Sequence, residues 1–156
     1  MTINISWLEE NLFHRTLNYN EKNILKGLVY LKSYAKGESI ILETQKVDGL
    51  FILNKGTVTL EHEQHGQSTH VAKLKAGSQL GDMSLFTGHQ ASVTVKALEA
   101  CEVYHLPQKS MQYMMKYRQD LMHDIMLHTI RNLAQSVRDM NNNQVYAQQY
   151  LQGVRA

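Results

Sequence analysis

The stretch Val71–Ala97, VAKLKAGSQLGDMSLFTGHQASVTVKA, decides how the rest of the chain is read. VAKL closes one short run rich in β-branched residues, THVAKL, and SVTVKA is a second. Both read as strands. Between them Gly81 is followed at once by the carboxylate of Asp82, a short apolar run and the polar turn TGHQ. The arrangement suits a pocket that holds a charged small molecule, and such a pocket needs a cation. The only lysine or arginine in Gly81–Ala97 is Lys96, near the far end.

Working outward, SIIL, GLFILN, GTVTLEHE and CEVYHL have the same strand character, and glycines at 37, 49, 56, 66, 77, 81 and 88 separate them. Turn signals about every ten residues between short strands predict a small barrel, roll or sandwich. In GTVTLEHE, Val58 and Leu60 face one way and Thr57, Thr59 and Glu61 the other, the period of a strand with one wet face.

The strand zone is flanked by helices. Ahead of it, Ser6 precedes WLEENLF with Glu9 at capping-box spacing. Asn20 is placed to cap EKNILKGL, with Leu25 and Leu28 inward and Glu21 and Lys22 outward. After Pro107, QKSMQYMMKY predicts a short helix and RQDLMHDIMLHTIRNLAQSVRDM a long one. Met126, Ile130, Leu133, Val137, Met140, Gln144, Ala147, Leu151 and Val154 alternate spacings of four and three. That is a heptad seam, with Ile130, Val137, Gln144 and Leu151 at a positions, and it predicts a homodimer through this helix. The alternative is a long helix lying along its own strands. The fold class is thus mainly β with flanking helices in one domain: helices over 1–30, strands over 31–106 and helices over 107–156.

Composition narrows the function. A net charge of +2 does not by itself imply nucleic acid. One cysteine, Cys101, excludes a disulfide framework within the chain and reads as a buried inert thiol. No apolar run reaches membrane-span length, and MTINISWLEENLF has no signal-peptide pattern, so the cytoplasm is the expected location. His62, His65 and His70 read as a solvated hairpin tip, not a metal site. No serine or cysteine sits in a nucleophile motif and Asp82 has no visible acid partner, so an enzyme is not expected.

The order of helices, glycine-punctuated strands and long helix resembles the cyclic-nucleotide-binding domain, more specifically the sensor half of the catabolite-activator (Crp/Fnr-type) family. YAKGESII resembles its entry strand, GLFILNKGTVTL its central hairpin, and VAKLKAGSQLGDMSLF the pattern LxxGxxFGExxLF that opens the phosphate-binding cassette. The resemblance implies a β-roll of jelly-roll type and a cyclic nucleotide ligand, cAMP or cGMP. In such a cassette a short helix offers backbone N–H groups to the phosphate, the acid takes the ribose hydroxyl, and an arginine neutralises the phosphate.

Mapped onto this chain, Gly81 fits the glycine and Asp82 the acid, one methylene short. Met83 and Ser84 supply backbone donors, and Ser92 fits the hydroxyl position. The arginine position falls on Ala91, with His89 and Gln90 as neighbours, and Lys96 comes too late. Loss of a hydrogen-bonded charge partner costs about 2–5 kcal/mol. That is about 30- to several-thousand-fold in affinity. Protonated His89 is one replacement, and a different ligand is another. Thr129, Arg131 and Asn132, with His128 behind them, are the polar residues placed to close over a base. Three functions follow: a stand-alone sensor, a dimeric adaptor for an unidentified protein partner, or part of a transcription regulator. The last is disfavoured because no DNA-binding motif follows the long helix.

Overall fold

The computed structural model describes residues 2–154, and side-chain surroundings for residues 2–143. The chain opens with α1 (Ile5–Leu8), a π-helical turn (Glu9–Phe13) and α2 (Tyr19–Leu28). Eight strands follow: β1 (Tyr30–Tyr34), β2 (Ser39–Ile41), β3 (Gly49–Lys55), β4 (Thr57–Gln64), β5 (Gln67–Lys75), β6 (Gln79–Leu80), β7 (Thr94–Ala97) and β8 (Cys101–Pro107). The short α3 (Asp82–Thr87) lies between β6 and β7, and α4 (Gln108–Tyr117) and α5 (Gln119–Val154) close the chain.

The strands form two antiparallel four-stranded sheets, ordered β1-β8-β3-β6 and β2-β7-β4-β5. Strand β3 is buried at six of its seven positions because it serves two cores. Leu50 and Ile52 point to the helices, joining Leu8, Leu12, Leu25, Met114, Leu121 and Ile125. Phe51 and Leu53 point between the sheets, toward Ile41, Val58, Val95 and Val103. A strand covered on both faces reads as a continuous apolar run, which GLFIL is.

Several local expectations are corrected. Asn4, not Ser6, caps α1, accepting from the Trp7 N–H at 3.0 Å. Glu9 instead accepts from the Leu17 N–H at 2.7 Å and pairs with Lys22. Asn18, not Asn20, caps α2 in a full capping box with Glu21. Glu21 is buried rather than outward, because Arg15 grips its carboxylate at 2.7 and 3.1 Å while donating to Asp124 of α5 at 2.7 Å. Thr59 is buried too, its hydroxyl bonded to the ring of His70. Of the three strand histidines only His65 sits at the turn, since His62 pairs with Glu43 at 2.6 Å.

Helix α5 docks on the rest of the fold through Leu121, Met122, Ile125, His128 and Thr129. Its heptad seam is elsewhere: Met126, Ile130, Val137 and Met140 are exposed and Leu133 is half-buried. The alternative of a helix lying along its own strands for its whole length therefore fails beyond residue 133 among the described side chains. The side chains of Gln144, Tyr146, Ala147, Tyr150, Leu151 and Val154 lie outside the described residues.

Candidate functional site

The cassette is built by a sharp turn. Gly81 adopts φ +78°, between β6 and α3, and a Cβ there would lie 2.8 Å from Val47 Cγ1 and 3.1 Å from Ile41 Cδ1. Only glycine satisfies both the left-handed backbone and the close approach. The turn sets Asp82 at the first position of α3, where its Oδ1 accepts from the Met83 N–H at 2.9 Å. Gln79, on β6, reaches from Asp82 Oδ2 (3.4 Å) to Thr129 Oγ1 on α5 (2.9 Å). Thr129 is buried and also donates to the Ile125 carbonyl at 2.9 Å. A polar relay thus runs from the cassette acid to the long helix.

A cavity of about 130 Å³, open on one side, lies at the mouth of the inter-sheet core. Aliphatic side chains from both sheets floor it, and Gln79, Asp82, Ser84 and Ser92 stand among its lining. Burial pushes the Asp82 carboxyl up from the ordinary aspartate range, opposed by its hydrogen bonds to Met83 and Gln79.

The structure brings together some predicted site residues and separates others. Gly81, Asp82, Met83, Ser84, Ala91 and Ser92 line the cavity. Ala91, at the arginine position, is buried, and its backbone is pinned by Ala91 N–H to Gln45 O at 2.9 Å and Thr44 N–H to Ala91 O at 2.8 Å. His89 and Gln90 do not line it: both are exposed in the loop after α3, where Ser84 Oγ donates to the Gln90 carbonyl at 3.4 Å. Thr129 does not line it either and connects through Gln79.

Lys96, which comes too late in the chain for the arginine position, also faces away from the cavity. Val95 points into the cavity, so its neighbour Lys96 is turned to the other face of the sheet, in a groove with Glu61, Glu63 and Thr94. Among the described residues, no lysine, arginine or histidine lines the cassette cavity.

One contact has no counterpart in any sequence pattern. His14 Nε2 lies 2.9 Å from His128 Nδ1, and His128 Nε2 lies 3.0 Å from Asn132 Nδ2. His128 is buried, and burial, then the His14 and Arg131 charges, hold its pKa below the ordinary histidine value. His14 sits 114 residues away in sequence, at φ +54°, which no helical periodicity reveals. Cys101 is buried, as expected, and burial raises its thiol pKa. Among the described residues no group of three or more His, Cys, Asp or Glu is placed to hold a metal ion, and no helix is long and apolar enough to cross a membrane.

Residues 31–118, more than half of the chain, match the family model described as the cyclic nucleotide-binding domain. The chain is 31% identical over 80 residues to the cAMP-dependent protein kinase type II regulatory subunit of Drosophila melanogaster, covering 51% of this chain and 21% of that one. It is 24% identical over 115 residues to the cAMP-activated global transcriptional regulator CRP of Escherichia coli, covering 72% of this chain and 55% of that one. It thus spans about a fifth of the first relative and about half of the second. Among solved structures, a cyclic nucleotide-binding domain from Methylobacillus flagellatus superposes with a TM-score of 0.78 at 16% identity, over 88% of this chain and 80% of that one. The Thermus thermophilus catabolite activator protein does so at 0.67 and 21%, over 86% and 63%. These likenesses share the β-roll, and the chain belongs to the cyclic nucleotide-binding domain family.

Proposed function

We propose that this chain is a non-enzymatic regulatory sensor in the cytoplasm, a single domain that binds a small molecule in the cassette cavity and signals through α5. The relay Asp82–Gln79–Thr129 carries this reading, because it joins the cavity wall to the long helix α5. Occupancy that draws on Asp82 changes the contact holding Thr129 and shifts the population of α5 orientations. The exposed positions Met126, Ile130, Val137 and Met140, with Leu133 half-buried and Gln144 next in the heptad, form the homodimer surface whose geometry is the output. The output partner is a protein. A net charge of +2 gives no electrostatic ground for DNA contact by these residues.

The family and the relatives' names make cAMP and cGMP the first ligands to test. The cassette is atypical, with Ala91 at the place of the phosphate arginine, so their affinity is expected near millimolar. Calorimetric titration with each at about pH 6 and pH 8 tests this. His89 stands outside the cavity lining, so acidification gives no gain. Micromolar binding confined to pH 6, abolished by His89→Ala, overturns that point and makes His89 the phosphate partner.

A second reading is a dimeric adaptor without a ligand. The absence of a lining cation among the described residues, together with the exposed seam, favours it. A folded dimer that binds no small molecule, and whose partner is lost on seam substitution, supports the adaptor over the sensor.

A further inference from the structure

The lining of the cassette cavity specifies a ligand class, on the reading that this cavity is the sensor site. The cavity measures about 130 Å³ and is open to solvent on one side. A dry cavity of about 150 Å³ accepts one benzene ring, so a space of this size holds one ring, and anything larger extends out of its mouth. Its floor is aliphatic: Ile41, Val47, Leu60, Leu74, Leu80 and Val95.

Among the described residues the only formal charge in the lining is negative, that of Asp82. Asp82 is half-buried, and its described partners are the Met83 N–H and the Gln79 amide, neither of them a cation. A carboxylate taken partly out of water without a counter-charge is costly, and an incoming cation relieves that cost. An incoming anion meets the reverse: repulsion from Asp82, no lining cation, and Lys96 on the far face of the sheet. Ser84 and Ser92 add hydroxyl oxygens that accept from a donor-rich head group.

We propose that the cavity binds a small apolar amine of about one ring in size, with its ammonium paired to Asp82 and its apolar body against the aliphatic floor, and that it discriminates against anions, cyclic phosphates included. The ammonium competes with Gln79 for Asp82, so this ligand acts on the relay to Thr129 directly.

The test is a matched one-ring series on the intact chain: benzylamine, benzyl alcohol, benzoate and phenyl phosphate, with cAMP in parallel. Affinities come from ¹H–¹⁵N chemical-shift titration at neutral pH, which also locates the site. Benzylamine is expected to bind at least tenfold more tightly than benzoate or phenyl phosphate, shifting Leu80–Ser84 and Val93–Val95. Asp82→Asn is expected to remove that advantage and leave benzyl alcohol unchanged. The comparison within the native chain stands even where the variant does not fold. Benzoate or phenyl phosphate binding at the cavity as tightly as benzylamine overturns the amine class and leaves the sensor reading intact. An Asp82→Asn variant that folds and keeps the full benzylamine preference overturns the role of Asp82. No shift at the cavity with any of the five compounds overturns both the amine class and the sensor reading, and leaves the adaptor.

Discussion

Placing an arginine where the family carries one should restore anion binding. Ala91 is 6% exposed and lines the cavity, and two backbone hydrogen bonds to the 44–45 turn fix its Cα. Ala91→Arg therefore sends a guanidinium along the existing Cβ direction into the cavity. A fully paired, desolvated charge is worth about 2–5 kcal/mol to a complex. Asp82 lines the same cavity and competes for the guanidinium, which holds the gain near the lower end, about 30-fold tighter cAMP binding. Inserting the side chain also overpacks the inter-sheet core, at about 1–3 kcal/mol of stability. For a domain of this size that lowers Tm by about 2–12 °C. Calorimetry with cAMP on the native chain, on Ala91→Arg and on Ala91→Gln, an uncharged control, measures the effect. A folded Ala91→Arg that binds cAMP no better than the native chain refutes the assignment of the missing cation to position 91. An equal gain in Ala91→Gln refutes the electrostatic cause.

Arg15→Ala leaves the buried Glu21 carboxylate without its cation and frees Asp124. Arg15 is 37% exposed, so solvent reduces the usual cost of breaking a buried pair to about 2–3 kcal/mol, read as a Tm loss of about 4–12 °C. Acidification should also destabilise the fold, because His128 and His105, a buried residue of β8, titrate below the ordinary histidine value, both chiefly through burial. The unfolded chain then binds more protons, so stability is full above about pH 6.5 and falls as pH drops through that value toward the folded ones. Denaturant melts from pH 8 to pH 5 should show this slope, and a flat profile in that window contradicts it. Asp82 has the opposite sign: its raised pKa removes stability as pH climbs through about 4, so Asp82→Asn should melt higher at pH 7 than the native chain. Val137→Glu combined with Met140→Lys should convert a micromolar dimer to a monomer in sedimentation, and a native chain already monomeric at that concentration ends the dimer reading.

Much of the fold was legible because its signals are local. QKSMQYMMKY maps residue for residue onto α4, and the glycine-bounded runs fall on β2, β3, β4, β5, β7 and β8. The helix caps were misplaced because Asn4, Ser6, Asn18 and Asn20 are chemically equivalent candidates, and the choice rests on how Trp7 and Glu21 are packed. Glu21 read as outward because its burial depends on Arg15, a partner outside its helix. At the site, motif order located the Gly81 turn and Asp82 at the start of α3, and both line the cavity. The facing of Lys96 followed from strand parity but needed Val95 fixed in the core to decide its sign. Gln79 was missed: nothing in GSQLGD distinguishes a bridging glutamine from a solvated one, and its partner Thr129 lies 50 residues on.

Helix α5 carries two stripes on different faces, and the division between them bears on mechanism. The docked stripe, Leu121, Met122, Ile125, His128 and Thr129, is buried against the rest of the fold. The seam of Met126, Ile130, Leu133, Val137 and Met140 lies on another face and is largely exposed. By residue 133 the roll no longer covers the helix, and exposed Val137 and Met140 lie beyond. From there to Val154 the axis runs roughly 30 Å at 1.5 Å per residue. Thr129 sits just before this transition, tied to the cavity by Gln79. A rotation of a few degrees at that tie moves the far end of such a lever by about 2–3 Å. One-ångström helix shifts at an interface are enough to repack it. A cavity too small to do much by itself can therefore set the geometry of a dimer, provided that its ligand acts on Asp82 and not merely on the aliphatic floor.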